Sequence, residues 1–387
     1  MKILWIGPWL ADALSTQVRG SMARALHDVG NEIGGVVIGA PGSWKTGGYD
    51  WVEYCPVRRS LLDKCMTQVH LARIVSRFQG DVLVLGEKVA HLAPIAHTVR
   101  AMMQRKNKIV IDVRTLPIPE NENSHVTLKA RGFWWKLKVG FPFADAWMGI
   151  TPGLRDVVEA RIPTRNLPCL IWGSAVDRMF LAYHGSNPLA ERIGACGHEV
   201  NALYLGSLSK GRRIDLAVRA MAELENDSAF VGLHIVGTGD QVPELKQLVD
   251  SFGISRRVHI WDPVAYCDVP SVIQACDLGI LPLPDCEAWN TSSALKLYEY
   301  MGVGLPILVS DIPAHRHAVG GQPFAYFMKE YSASGFKEAL RRFLRTPKIE
   351  RNQLRNLAKN FVSKNHTFDH RARTINRFLK KLPVKKN

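Results

Sequence analysis

Residues 290–311, NTSSALKLYEYMGVGLPILVSD, hold the most suggestive chemistry in the chain. They read as loop, helix, tight turn and buried strand. Asn290, Thr291, Ser292 and Ser293 all carry a side-chain oxygen that can accept an orphan N–H at a helix start. Leu295, Tyr298 and Met301 then recur at helical spacing. Gly302 and Gly304 can end the helix by taking positive φ, and Pro306 keeps it from resuming. Ile307, Leu308 and Val309 form the short apolar run of a parallel strand covered on both faces. One acid, Glu299, sits inside this otherwise apolar helix. A helix start preceded by hydroxyl and amide side chains suits a phosphate or diphosphate, which the N–H groups near Ser293, Ala294 and Leu295 would meet.

A second group of candidates lies upstream. A strand at 202–205 leads into GSLSKGRR at 206–213, a basic turn, and then into a helix at 214–224. A solvated turn would have the same composition. The strand 231–236 is followed by Gly237-Thr238-Gly239, where two glycines let backbone approach a ligand, though a lone G-x-G is weak evidence. After the strand 258–261 comes a turn with Pro263 and Val264. No paired carboxylates stand at glycosidase spacing, and no His/Asp cluster suggests a metal.

The elements that must position these residues follow from composition and rhythm. A chain of 387 residues is longer than one core usually accommodates, so two domains are expected. The longest apolar runs are strand-like, far short of the roughly 20 residues of a membrane span. The opening MKILWIG reads as a first strand and not as a signal peptide. The 7 cysteines include no C-x-x-C pair, which argues against zinc and disulfides and for a reducing cytosol. The net charge of +15 favours anionic partners: nucleotide diphosphates, anionic lipid or nucleic acid. Part of it lies in the tail, at Lys380, Lys381, Lys385 and Lys386. No helix-turn-helix, RNA-recognition or zinc module is present, so nucleic acid is not expected.

The first half opens as βαβ: strand 2–6, helix 16–29 with Val18, Met22, Ala25 and Leu26 on one face, strand 32–38. Its first loop, 8–16, lacks the G-x-G-x-x-G of a dinucleotide site. Buried strands follow at 81–86 and 108–113. The second of these ends at Arg114, the position where open parallel sheets bind ligands. Residues 130–146, ARGFWWKLKVGFPFADA, mix Arg131, Lys136 and Lys138 with five aromatic residues. That is the form of an interfacial membrane helix, or of lysines snorkelling over core aromatics. The polar stretch 181–200 reads as a linker. Amphipathic helices are expected at 332–344, 351–365 and 367–382.

The segment around Glu299 resembles the donor-site helix of retaining GT-B glycosyltransferases, in particular the GT4 family. Their pattern is an acid, seven residues, a second acid, a small-residue turn, Pro and a strand. Glu299 stands at the second acid; the first falls at Thr291, as in relatives with S-x-x-K-x-x-E-Y-M. The turn 206–213 resembles the family's strand, G-x-L, basic residue, helix element. Arg212 matches the basic residue best and Lys210 next, while Ser207 replaces the usual first Arg. Residues 171–177 resemble the family's P-N-G-V-D element.

The resemblance implies an α/β GT-B fold: two Rossmann-like doubly wound domains facing a central cleft, with the last helix crossing back to the first domain. The expected division is 1–180 for the acceptor-side domain, 181–200 for the linker and 201–365 for the nucleotide-sugar-binding domain, with 366–387 as crossover helix and basic tail. It implies retaining transfer from a nucleotide-diphosphate sugar to a glycan, glycolipid or small-molecule hydroxyl. Glu299 would hold the ribose. Arg212 and Lys210 would hold a diphosphate whose charge grows as the glycosidic bond breaks. Arg114 stands where relatives place a His against the donor sugar. Gly237, Gly239, Pro263, Val264, Thr291, Ser293, Ala294 and Leu295 would line the donor. Gly7 and Arg19 would be on the acceptor side. No cofactor or catalytic metal is implied, and the expected location is cytoplasmic, peripheral on the inner membrane face. A GT-B-like binding or scaffold protein without transferase activity is the alternative.

Overall fold

A computed structural model describes residues 1–10, 14–38, 48–55, 61–117, 128–164, 167–182, 185–224 and 230–383, with side chains at 8–18 and 61–64 left out. The basic tail at 384–387 and the side chains of the first loop therefore lie outside the described residues. The chain forms two compact units. Among the described residues the first comprises Met1–Pro117, 128–173 and everything from Phe368 onward, and the second Ser174–Thr367.

The first unit is built on strands β1 (Lys2–Leu10), β2 (Glu32–Ile38), β3 (Trp51–Cys55), β4 (Val82–Gly86), β5 (Lys108–Val113), β6 (Ala146–Gly149) and β7 (Cys169–Ile171). They make one sheet in the order β3-β2-β1-β4-β5-β6-β7, parallel throughout. The central strands are buried on both faces, which is why they read as unbroken apolar runs. β1 runs on past Gly7 to Leu10, with a register shift against β2 between Trp5 and Trp9. The helix Phe368–Lys381 belongs to this unit and packs on the helix Leu14–Asp28. Lys108 Nζ anchors it by donating to the Leu379 carbonyl at 2.8 Å, so the last helix does return to the first domain.

The second unit is built on β8 (Val200–Leu205), β9 (Val231–Val236), β10 (Val258–Trp261), β11 (Leu278–Leu281), β12 (Ile307–Ser310) and β13 (Ala325–Met328). Its order is β10-β9-β8-β11-β12-β13, again parallel. Both sheets reverse their strand order beside their first strand, the switch point at which Rossmann-like sheets bind ligands. The division of the chain falls at Gly173–Ser174. Within 181–200, read as linker, the helix Pro188–Ala195 buries Leu189 and Ile193 in the second core, and Asn187 caps it at Leu189 N–H, 2.8 Å away.

The basic aromatic segment splits between the two expectations for it. Phe141 is fully buried against Trp147 in the first unit. The helix Leu128–Gly140 before it leaves Leu128, Arg131, Trp135 and Lys138 exposed.

One buried ion pair holds the first sheet. Asp145 accepts from the Arg100 guanidinium and from the Ile109 N–H at 2.8 Å, and both charged side chains are at most 5% exposed. Removing one partner strands the other charge in the core. Asp145→Ala should therefore cost about 3–5 kcal/mol, read as a lower urea midpoint by circular dichroism. Asp156→Ala, on an exposed pair with Arg155, should shift it by less than about 1 kcal/mol.

Candidate functional site

Beside the β8–β11 switch point, glycines bring together the loops that follow β8 and β9. Gly237 has φ +151, and a Cβ there would lie 1.9 Å from the Gly206 carbonyl oxygen; a Cβ on Gly239 would lie 2.2 Å from that of Leu208. The two turns are stitched by Gly206 N–H to Val236 O at 2.9 Å and Leu208 N–H to Thr238 O at 2.9 Å. The glycines thus serve the approach of backbone to backbone, where the sequence suggested backbone to ligand. Gly206, with φ +141, has a second neighbour: a Cβ on it would meet Lys296 Cε at 2.0 Å and Nζ at 2.5 Å.

Lys296 lies over Gly206 from the helix Leu295–Val303, three residues before Glu299 and on the same face. Glu299 is 3% exposed and accepts a hydrogen bond from the Tyr266 hydroxyl at 3.2 Å. Burial pushes its carboxyl up to about 7, against the pull of the Lys296 ammonium. Burial, with Arg212 adding to it, pushes Lys296 down to about 8. Burial and the neighbouring Glu299 charge push the Tyr266 phenol up.

The basic turn separates its three cations. Arg213 takes a left-handed conformation, φ 53, and spends its guanidinium on Asp215 at 3.4 Å. Lys210, the second choice from sequence, is exposed and faces Glu244 at 3.6 Å. Arg212 stays at the site, its guanidinium 5.1 Å from the centre of the Trp289 ring. Trp289 is itself held by its indole N–H on the Gly211 carbonyl at 3.0 Å. The cations that converge here are therefore Arg212 and Lys296. Lys296 was missed by sequence reasoning, although its spacing from Glu299 was the available signal. Trp289, the shelf for Arg212, gave none.

The expected caps are absent from the helix Leu295–Val303. Its N-cap is Ala294, with no side-chain hydrogen bond. Asn290 ends a short helix, Glu287–Asn290, and donates to Asp285. Thr291 donates to the Glu287 carbonyl at 2.8 Å and Ser292 to that of Trp289 at 2.9 Å. The Ser293 hydroxyl accepts from Ser174 N–H at 3.2 Å. With these oxygens engaged elsewhere, the helix start is left to the Ala294–Leu295 backbone. At the other end Gly304, φ +98, closes the helix as expected, with Leu305 N–H on the Tyr300 carbonyl at 2.8 Å. Tyr300 fills the place of the missing Gly279 side chain, and its hydroxyl oxygen accepts the Leu205 N–H at 2.8 Å. Pro263 and Val264 follow β10, the first exposed and the second packed at the edge of the core.

In the first unit, Arg19 and Arg114 line one small hollow with Trp5, Tyr49 and Trp172. Arg114 stacks on Trp172 at 4.8 Å. The Trp172 indole N–H donates to Asp112 at 3.2 Å. Asp112 ends β5 fully buried, pushed up to about 6 by that burial while Arg114 and Arg19 pull it down. Burial and Arg114 push Arg19 down to about 10. Gly7 is buried within β1.

Glu299 supplies a pH signature. Its folded value lies above its ordinary 4.5, so its contribution to stability is complete below about pH 4.5 and is lost as pH rises through 7. Glu299→Gln cannot ionise. The wild type should therefore lose roughly 2–3 kcal/mol relative to this variant between pH 4.5 and 7.5, measured as the difference between two pH series of urea unfolding. Parallel series would refute the assignment.

Comparison with known proteins gives a family match for part of the chain and a fold match for nearly all of it. Residues 192–361 match the model for glycosyl transferases group 1. D-inositol 3-phosphate glycosyltransferases of Mycobacterium bovis (strain BCG / Pasteur 1173P2) and Mycobacterium tuberculosis (strain ATCC 25618 / H37Rv) are 28% identical over 139 residues. That match takes in 36% of this chain and only 25% of the length of those relatives. Among solved structures, Anabaena Alr3699/HepE in complex with UDP and glucose superposes with a TM-score of 0.75 at 15% identity, covering 99% of this chain and 100% of that one. WaaG, a glycosyltransferase involved in lipopolysaccharide biosynthesis, gives 0.71 at 15%, covering 98% and 99%. The sucrose-phosphate synthase of Thermosynechococcus elongatus gives 0.75 at 12%, covering 99% of each chain. The fold of the chain is therefore GT-B, two Rossmann-like sheets with a last helix that returns to the first, and its residues 192–361 are similar to the glycosyl transferases of group 1.

Proposed function

We propose that the protein moves a sugar from a nucleotide-diphosphate sugar to a hydroxyl acceptor, with retention at the transferred carbon. The observation that carries this is the convergence of Arg212, Lys296 and buried Glu299 at the switch point of the second sheet. Glu299 accepts hydrogen bonds from the ribose hydroxyls. Arg212 on its Trp289 shelf and Lys296 over Gly206 face the diphosphate, and the uncapped N–H groups at Ala294–Leu295 complete its cradle. Negative charge grows on the diphosphate as the glycosidic bond breaks. Fixed cations in a partly buried site stabilise that charge more than water would. Ser293, Gly237, Gly239, Pro263, Val264 and Thr291 line or frame this region, and Lys210 stands outside it. Arg114 keeps the role toward the donor sugar expected of it, and Arg19 and Gly7 serve the acceptor. No catalytic metal is required, because the two cations do the work a divalent ion does elsewhere. Anabaena Alr3699/HepE binds UDP and UDP-glucose, which makes a uridine donor the first to try.

Thermal unfolding with UDP, GDP, ADP, TDP and CMP tests the donor site. One diphosphate at about 100 times its Kd should raise Tm by about 5–10 °C. Arg212→Ala, Lys296→Ala and Glu299→Ala should each remove the shift. Binding of the diphosphate should also pull Lys296 back up from about 8, so titration calorimetry at pH 8 should show proton uptake that Lys296→Ala abolishes. No response to any nucleotide, with no sugar-nucleotide turnover, would favour a binding or scaffold protein that keeps the fold without the chemistry.

We place the acceptor among glycans or glycolipids assembled at an anionic cytoplasmic membrane surface, as in bacterial glycan assembly. The exposed face of Leu128, Arg131, Trp135 and Lys138 supports this. Among the described residues no helix is long and apolar enough to cross a membrane. Contact of this kind lies within the interface. The protein should co-sediment with phosphatidylglycerol vesicles but not with phosphatidylcholine vesicles, and Trp135→Glu should weaken this several-fold. Equal sedimentation of the two proteins would remove the membrane from the proposal.

A further inference from the structure

Away from the switch point, the second unit gathers a set of sulfur and imidazole ligands that the transfer chemistry does not use. Cys196 follows the helix Pro188–Ala195, His198 precedes β8, and His259 is on β10. Their ligand atoms all lie within 4.8 Å of one another. The Nε2 atoms of His198 and His259 are 3.0 Å apart.

We propose that Cys196, His198 and His259 bind one borderline-soft transition-metal ion, of which Zn2+ is the representative, with a fourth position open to solvent. The surroundings are shaped for these rings. His198 lies across β9 where Gly232 has no side chain; a Cβ there would be 2.1 Å from His198 Cδ2. His259 is stacked between neighbours, 5.2 Å from the ring of His234 and 5.6 Å from that of Trp261. Both nitrogens of His234 are engaged, one with Asn201 Oδ1 at 2.9 Å and one with the Trp261 indole N–H at 3.1 Å. His234 is therefore a wall and not a ligand.

The donor set selects the ion. Thiolate and neutral imidazole suit zinc, copper and their neighbours, whereas calcium and magnesium want carboxylate and carbonyl oxygen. Arg257 acts on His198, and Arg192 stacks on Trp261 at 4.5 Å. With these two cations close by, an ion here would have to be held by its nitrogen and sulfur bonds and not by surrounding negative charge.

A tetrahedral zinc with Zn–N of about 2.0–2.1 Å holds its nitrogens about 3.3–3.4 Å apart. The His198–His259 pair needs to open by only a few tenths of an ångström. Cys196 reaches the ion by turning its thiol away from the Arg192 carbonyl, 3.2 Å from it now. Binding exchanges protons for metal. The thiol loses its proton to solvent as the metal–sulfur bond forms. The proton shared between the two Nε2 atoms moves to His198 Nδ1, which has no hydrogen-bond partner, as the two metal–nitrogen bonds form, so both imidazoles stay neutral. The ion would tie the end of one helix to the edge of the sheet.

The full chain, stripped with EDTA and then exposed to Zn2+, should retain one equivalent through gel filtration. Its Tm should rise by about 5–10 °C at zinc 100-fold above Kd. Cys196→Ser and His259→Gln should each lose both effects, while Cys267→Ser, at an exposed cysteine, should keep them. Co2+ in place of Zn2+ should give a sulfur-to-cobalt charge-transfer band that vanishes in Cys196→Ser. The proposal is overturned by less than stoichiometric retention, or by unchanged retention in both ligand variants. If a ligand variant fails to fold, the cobalt spectrum of the wild type decides, because a spectrum without the sulfur band excludes Cys196.

Discussion

The second unit turns on a carboxylate that the fold has taken out of water. Glu299 sits on a helix of nine residues, 3% exposed. Such a group is tolerated only with partners, because desolvation of a lone carboxylate costs several kcal/mol. The fold supplies a phenol from Tyr266 and an ammonium one helical turn back, at Lys296. Lys296 in turn needs Gly206, whose missing side chain leaves room for its stem. Gly206 then needs Gly237, since any side chain there would strike the Gly206 carbonyl. One buried acid thereby dictates residues on three separate segments.

On the function proposed above, the same arrangement would let the chemistry run with few side chains. A site with two cations and one acid, each already desolvated by the protein, has little reorganisation left to do when a charged ligand arrives. Residues that looked equivalent in the basic turn are sorted by their neighbours. Asp215 takes Arg213, Glu244 takes Lys210, and Trp289 takes Arg212 without neutralising it. A ring face holds a guanidinium in place without cancelling its charge, and the Tyr204 hydroxyl beside it is a neutral hydrogen-bond partner.

Much of the fold was legible because strands buried on both faces are apolar without interruption. β5, β9 and β10 fall at the residues expected of them, and the helices fall within a few residues of theirs. What sequence could not show is which partner a polar side chain chooses. Four capping residues precede the helix Leu295–Val303, and all four are engaged elsewhere: Asn290, Thr291 and Ser292 in local contacts with Asp285, Glu287 and Trp289, and Ser293 in a long-range one with Ser174. Gly237 and Gly239 were read as points where backbone meets a ligand, and the neighbour each lets in is the backbone of another loop. Cys196, His198 and His259 were invisible as a set. They come from three elements, and a sheet edge brings together what 61 residues separate.

Tyr300 has a role that reaches beyond packing. β11 pairs with β8 only at Ala202 and Leu203, and further along the strand the Leu205 amide is held by a side-chain hydroxyl instead of by a neighbouring strand. That single proton is thus decoupled from the opening of the sheet around it. Its exchange with solvent deuterium records how firmly the helix bearing Lys296 and Glu299 is seated. The amides of Leu203 and Tyr204 record the sheet. Two readings from one strand would separate a loosening of the site from a loosening of the fold.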